Sequence, residues 1–424
     1  MRNFLDKIFL RSNNLDQISN DIKKLTFNTP AYKIFNAINS FTSESEIRYV
    51  GGCIRKIINK EKVDDIDLAT NLEPNNICEA LSKNNIDFYK TGIEHGTITA
   101  ILENYKFEIT SLRKDVLTDG RHAKVKFSKD WKEDASRRDF TINSIYSDGE
   151  GNLFDPYNGK DDLEKGNIKF IGDPDKRIEE DYLRILRYIR FFLGYSKKKY
   201  NPEIISKLKK NIGGVSKLSK DRLLTELRKI IKLNFLKKLS KDKISLELIT
   251  LIFPELKNFS FFQNLKTNIK EISEEFDFIF LLSLMIIDGT DNADYFLYKF
   301  NISNNDKKRI KIIDNFYKDK ITSKMFLEEN MNKIFYYEGK QSVIDILNFK
   351  IFKSKKVELN LLELCKIYKN KTKPVMPIKA DILMTKFKIP EGKILENKLK
   401  IIEKKWVNNN FRISDKEIEN IVNT

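Results

Sequence analysis

Glycine is spread so unevenly along this chain that it separates two kinds of structure. Thirteen of the 16 glycines lie at or before Gly214, and none occurs from residue 215 to 288. Tight turns and close backbone approaches are therefore needed in the first half and largely dispensed with in the second. Between the early glycines, short β-rich runs alternate with turn signals: IRYVGG, DIDLAT, GTITAILEN, YKFEITSL, and the NSIYSD and NLFDPY pair flanking Gly149 and Gly151. From about Asp181 onward the apolar residues take helical spacing instead, as in Leu183, Leu186, Ile189 and Leu193, then Leu223, Leu227 and Ile230. The expected fold class is α+β, with a head built on a mixed β-sheet and an all-helical remainder. No repeat of fixed period interrupts this plan.

The apolar content of 41% over 424 residues supports a sizeable core and excludes a disordered tail. The longest apolar run, Phe276 to Ile287, is broken by Asp277 and Ser283 and falls short of the roughly 20 residues that span a bilayer. No membrane association is expected. Asp6 and Lys7 interrupt the opening segment before a secretory signal could form. Cys53, Cys78 and Cys365 are too scattered for a zinc pattern and too few for a disulfide framework. A reducing, cytoplasmic compartment follows.

The formal charge of +17 suits a polyanionic partner such as nucleic acid, although AT-rich coding also writes Lys, Asn and Ile freely. Arginine separates the two explanations in part. Of 78 basic residues only 16 are Arg, and ten of those lie between Arg48 and Arg190. In a lysine-dominated chain an arginine persists where its planar, bidentate fork is needed, as on phosphates or base edges. The chemistry is expected within that interval.

There, YVGGCIRK at 49–56 precedes DDIDLAT at 64–70. Asp65 and Asp67, two apart in a strand, point to one face, where their repulsion is relieved by a divalent cation; oxygen ligation of this kind suits Mg²⁺. Gly51 and Gly52 allow close backbone approach ahead of Arg55 and a helix N-terminus. The plainer alternative is a turn with a solvated acidic strand end. Glu108 in YKFEITSLR lies between Phe107 and Ile109 and so points away from both. Pairing of its strand with the DIDLAT strand would set it beside Asp65 and Asp67, giving three carboxylates suited to phosphoryl chemistry with two metals. Otherwise it is an edge-strand residue facing water. Further on come DASRRDFTINSIYSD at 134–148, FDPYNGKDDL at 154–163 and FIGDPDKRIEEDYLRILRYIRF at 170–191. Asp181, Arg184, Arg187 and Arg190 recur every three residues, an arrangement expected to keep them near one face of a helix.

With these motifs, and with TGIEHGTITA at 91–100, DGRHAKVKF at 119–127 and LSKDRLLTELRKI at 218–230, the chain resembles the class II CCA-adding enzymes and their bacterial poly(A) polymerase relatives. The resemblance covers roughly residues 30 to 230. It implies template-independent addition of CCA to the 3′ end of tRNA from CTP and ATP, with Asp65 and Asp67 as Mg²⁺ ligands and Glu108 as the supporting carboxylate. It further implies that Gly52 and Arg55 contact phosphate, that Arg138 and Asp139 hold the triphosphate and ribose, and that Asp181 and Arg184 face the incoming base. Arg187 and Arg190 resemble further nucleotide-site arginines. One position departs from the pattern: Lys56 follows Arg55 where the family usually carries Asp. That puts in question a local ion pair positioning the loop.

By the same resemblance the chain divides into a catalytic head (1–165), a neck that reads the base (166–232), a body (233–330) and a tRNA-binding tail (331–424). EHGTITA and DGRHAKVKF favour CCA addition over poly(A) or CC-only synthesis. A nonenzymatic RNA-binding protein on a decayed head is the alternative of another class, and the intact carboxylates speak against it. Neither His95 nor His122 is required as a base. FSFFQNL at 259–265 is expected in the core, and no obligatory protein partner is called for.

Overall fold

The computed structural model describes residues 2–117, 124–263, 276–318, 322–354 and 358–423. The chain divides into two compact units, residues 1–226 and 227–424. His122 and residues 119–123 of DGRHAKVKF lie outside the described residues, as do Leu265 and Asn264 of FSFFQNL.

The first unit opens with α1 (Arg2–Phe27) and α2 (Ala31–Asn39) and continues through β1 (Ile47–Val50), α3 (Gly52–Ile58), β2 (Ile66–Thr70) and α4 (Pro74–Lys83). Then come β3 (Asp87–Gly92), β4 (Thr97–Leu102), β5 (Tyr105–Ser111), β6 (Arg113–Leu117), β7 (Lys124–Phe127), α5 (Trp131–Ser136), β8 (Tyr146–Ser147) and β9 (Leu153–Phe154). Seven of these strands form one sheet in the order β3-β4-β5-β2-β1-β8-β9, and β6 pairs with β7 apart from it. Only the β2 and β5 pairing within that sheet is parallel. The sheet is mixed, as expected, and every β-rich run named above becomes a strand.

Period-two alternation assigns the two faces. On β5, Phe107 and Ile109 are buried while Lys106 and Glu108 are exposed. The apolar face packs under the early helices through Ile18, Ile22, Ile34, Ile38, Ile54, Ile77 and Leu81, which meet Tyr49, Leu68, Phe107 and Ile109. Val50, Ala69, Leu112, Trp131, Ala135 and Tyr146 form a second, smaller cluster. Val50 and Ala69 are one position out of step with Tyr49 and Leu68, so this cluster belongs to the opposite face. Asp67, two residues before Ala69 on β2, shares its parity, and Glu108 is paired with Asp67 at the middle of β5.

The helical part of this unit runs through α6 (Gly159–Lys165), α7 (Pro174–Glu180), α8 (Leu183–Tyr195), α9 (Pro202–Asn211) and α10 (Lys220–Ile230), the last of which crosses into the second unit. Pro174 starts α7 without loss of a bonded N–H, and the Asp173 carboxylate caps it by accepting from Lys176 N at 3.0 Å. Leu186, Ile189 and Leu193 are buried on α8. Every secondary-structure element among the described residues of the second unit is a helix. Ile279 to Ile286 are all buried within the helix Phe278–Ile286. Phe259 and Phe262 of the FSFFQNL stretch are buried too. Leu383, Ile389, Leu395, Ile402 and Ile418 form a separate cluster near the end of the chain.

Candidate active site

The parallel register sets Asp67 directly opposite Glu108, between Ile66↔Phe107 and Leu68↔Ile109. Asp65 stands one residue ahead of β2, close enough to act on the Asp67 carboxyl. The expected neighbourhood of three carboxylates is thus built by two strands that are 41 residues apart in the sequence at the Asp67↔Glu108 rung. Burial pushes the Asp67 carboxyl above its ordinary value, and Glu108 and Asp65 add to that against Arg138 and Arg55. Ionised, this cluster wants a cation. Glu108 is turned toward Lys106, whose Nζ lies 2.7 Å from its Oε1.

Gly51 enters α3 with φ of +67°, a conformation that favours glycine. A Cβ built on Gly52 would lie 3.6 Å from Asp67 Oδ2, so a side chain there would grow into the space before the carboxylate. Arg55, one turn into α3, is buried; its guanidinium donates to Asn143 Oδ1 and lies 4.7 Å from the centre of the Phe191 ring. Its Nε has no hydrogen-bond partner among the described residues. Lys56 forms an ion pair with Asp64 at 3.2 Å, so the departure at position 56 brings its own local pair beside the carboxylates.

Asp134, 1% exposed, gathers Arg137, Arg138 and Tyr146: Arg137 Nε donates at 2.8 Å, Arg138 NH2 at 3.1 Å and the Tyr146 hydroxyl at 2.7 Å. Burial opposes its ionisation, but Arg138, Arg137 and the Tyr146 bond prevail and hold it well below the usual carboxylate range. Asp139 is treated likewise. Burial is outweighed by Arg187, whose Nε donates at 2.5 Å, and by Asn143 Nδ2 at 2.8 Å. Asn143 therefore bridges Arg55 on α3 to Asp139 and, through it, to Arg187 on α8.

The four residues spaced by three do not share one helix. Asp181 sits in the break between α7 and α8, with extended backbone at φ −155° and ψ 102°. Its own side chain explains the break: Oδ1 accepts from Leu183 N at 3.1 Å, competing with helical continuation and starting α8 afresh. Oδ2 accepts from Arg222 at 2.8 Å. Arg184 stays close, its backbone N–H donating to Asp181 O at 3.0 Å, while its NH1 bonds Glu180 Oε2 at 2.7 Å. Arg190 pairs with buried Glu226. Glu180, Asn143, Arg222 and Glu226 are thus partners that the sequence did not single out; the spacing of arginines drew attention away from the carboxylates and amide that hold them. His95 contributes its backbone oxygen to Arg113.

Residues 47–169 match the poly(A) polymerase head domain family. A CCA-adding enzyme of Staphylococcus haemolyticus is 31% identical over 309 residues, 71% of this chain and 72% of that protein. The chain belongs to the CCA-adding enzyme family. Human mitochondrial CCA tRNA nucleotidyltransferase 1 is 44% identical over 189 residues, a match that spans 44% of this chain and 44% of the human protein. The fold agrees with that of this family: the Bacillus stearothermophilus CCA-adding enzyme in complex with CTP aligns at a TM-score of 0.67 and 18% identity, covering 92% of this chain and 95% of that one. The Thermotoga maritima CCA-adding enzyme complexed with tRNA aligns at 0.59 and 20% identity, covering 95% and 98%. No described helix of this family member is long and apolar enough to cross a membrane.

Proposed function

We propose that this chain adds CCA to the 3′ end of tRNA without a template, using CTP and ATP and releasing pyrophosphate. The observation that carries the reading is the Asp67↔Glu108 rung with Asp65 two residues ahead of it and Gly52 at its side. This donor set fits a divalent cation: the ligands are hard oxygens, and Asp67 is disfavoured as an anion until positive charge comes near. Among the described residues no group of three or more His, Cys, Asp or Glu side chains is placed to hold a metal ion by itself. Asp65 and Asp67 would hold Mg²⁺, an ion that usually keeps few protein ligands, together with substrate phosphates. Bound there, the ion would lower the pKa of the tRNA 3′ hydroxyl and offset charge at the reacting phosphate.

The chain's own groups do the rest. Gly52, with no side chain to set between Asp67 and Arg55, lets the triphosphate approach the backbone closely, and Arg55 and Arg138 supply guanidinium charge for it. The 3′ hydroxyl gives its proton to water as its oxygen attacks the α-phosphorus, the bond from that phosphorus to the bridging oxygen breaks, and pyrophosphate leaves. Asp139, already ionised and fixed by Arg187 and Asn143, keeps Arg138's neighbourhood rigid for triphosphate and ribose. Asp181 and Arg184 would read the base: a carboxylate accepts from the amine of cytosine or adenine, and a guanidinium donates to the adjacent ring nitrogen. Guanine and uracil present the reverse pattern. Arg187 and Arg190 brace this neck from α8.

In this reading residues 1–165 are head, 166–232 neck, 233–330 body and 331–424 a lysine-rich tail that grips tRNA through phosphates. The three buried, free cysteines fit a reducing cytoplasm, whereas the human relative is mitochondrial by name; cell fractionation distinguishes the two. Poly(A) synthesis has the head family's description in its favour. One experiment separates the products: purified protein is given tRNA lacking its 3′ end, Mg²⁺, and each nucleotide singly or together, and the products are sequenced. CCA ends, absent when Mg²⁺ is chelated, are the expected result. A run of adenylates or a stop at CC would replace this reading.

A further inference from the structure

Lys106 shares a face of β5 with Glu108, because residues two apart in a strand point the same way. Its Nζ lies 2.7 Å from Glu108 Oε1, with side-chain exposures of 61% and 49%. Lys106 precedes Phe107 on β5, and Asp65 precedes Ile66, the residue that Phe107 faces in the first rung between the two strands. Both aspartates act on the Lys106 ammonium, though less than Glu108 does. The face thus carries three carboxylates and one ammonium, and the ammonium is bonded to Glu108.

We propose that Lys106 is a positioning residue that stands in for a cation at Glu108, so that a divalent ion recruiting this carboxylate must first displace the ammonium. The proposal rests on the reading of Asp65 and Asp67 as cation ligands. A lysine suits this role, since its charge is compact, its stem is flexible, and an exposed ion pair is weak enough to open. Without substrate, the ammonium offsets repulsion among the three carboxylates and lowers the cluster's affinity for metal. When a triphosphate arrives, it offers the ammonium another anion, and Glu108 is released toward Asp65 and Asp67. Lys106 in this way ties full assembly of the carboxylates to the presence of nucleotide.

The test is calorimetric titration of the full-length protein, free of nucleotide, with Mn²⁺ alone. Lys106→Met should tighten Mn²⁺ binding by about two- to fivefold, the scale of an exposed ion pair, while Lys106→Arg keeps the wild-type affinity. Wild-type or weaker binding by Lys106→Met would overturn the proposal, as would equal tightening by Lys106→Arg. Asp67→Asn separates this idea from the reading beneath it. If Asp67→Asn loses Mn²⁺ binding and Lys106→Met changes nothing, the proposal alone fails. If Asp67→Asn binds Mn²⁺ like the wild type, the metal site itself is misplaced and the role of Lys106 goes with it.

Discussion

Between α5 and α10 five carboxylates face guanidinium groups: Asp134 holds Arg137 and Arg138, Asp139 holds Arg187, Glu180 holds Arg184, Asp181 holds Arg222 and Glu226 holds Arg190. On β2 and β5 the carboxylates face one another, with exposed Lys106 bonded to Glu108 and with Arg138 and Arg55 acting on Asp67. The same chemical group is therefore used in two ways. Where its charge is matched, as at Asp134 and Asp139, ionisation is favoured despite burial and the carboxylate works as scaffold. At the crowded Asp67 burial disfavours ionisation, the neighbouring carboxylates add to it, and the nearby arginines do not make up the difference, so an added cation suits the site. Charge balance, more than burial, distinguishes the reacting end of the unit from the frame that holds it.

The largest expected effect lies on the crowded side. Asp65→Ala should lower nucleotide addition by orders of magnitude in single-turnover assays while tRNA binding, measured by filter retention, persists. Near-normal turnover at saturating Mg²⁺ would erase the distinction. On the matched side the loss should instead be structural. Asp134→Asn leaves two arginines without their buried counter-charge, and chemical denaturation should show a loss of about 3–5 kcal/mol. A change close to zero would mean that Arg137 and Arg138 are neutralised elsewhere. Asp181 sharpens the comparison, because it is matched by Arg222 and yet is assigned to the base. Asp181→Ala should narrow discrimination against UTP and GTP by about 1–3 kcal/mol, read as ratios of kcat/KM, and should lower CTP and ATP use together. Loss of ATP incorporation alone, or unchanged discrimination, would move base reading to other residues.

Much of this arrangement was legible in the residues themselves. The alternation of Phe107, Glu108 and Ile109 foretold both the strand and the side on which Glu108 emerges, whereas Asp65, expected on the same strand face as Asp67, stands one residue ahead of that strand. The partner strand could be guessed only because the carboxylates needed one another. Strand β3 escaped notice: DFYKTG mixes polar and aromatic residues at a sheet edge, where no buried face imposes a pattern. The break at Asp181 was hidden for a related reason. Spacing by three looks the same whether the helix continues or restarts, and only the side-chain bond to Leu183 N shows the restart. Long-range matches such as Arg190 with Glu226 and Arg55 with Asn143 have no local signature, since their partners lie 36 and 88 positions apart.

The contrast between crowded and matched carboxylates is tested most directly by the thermal midpoint of Asp67→Asn, measured without metal and again with Mn²⁺. Removing one of the crowded charges should leave the metal-free protein as stable as the wild type or more so, with an end to the stabilisation that Mn²⁺ gives the wild type. A metal-free midpoint several degrees below wild type, with the Mn²⁺ shift retained, would show that Asp67 belongs to the frame and that the cation site lies elsewhere.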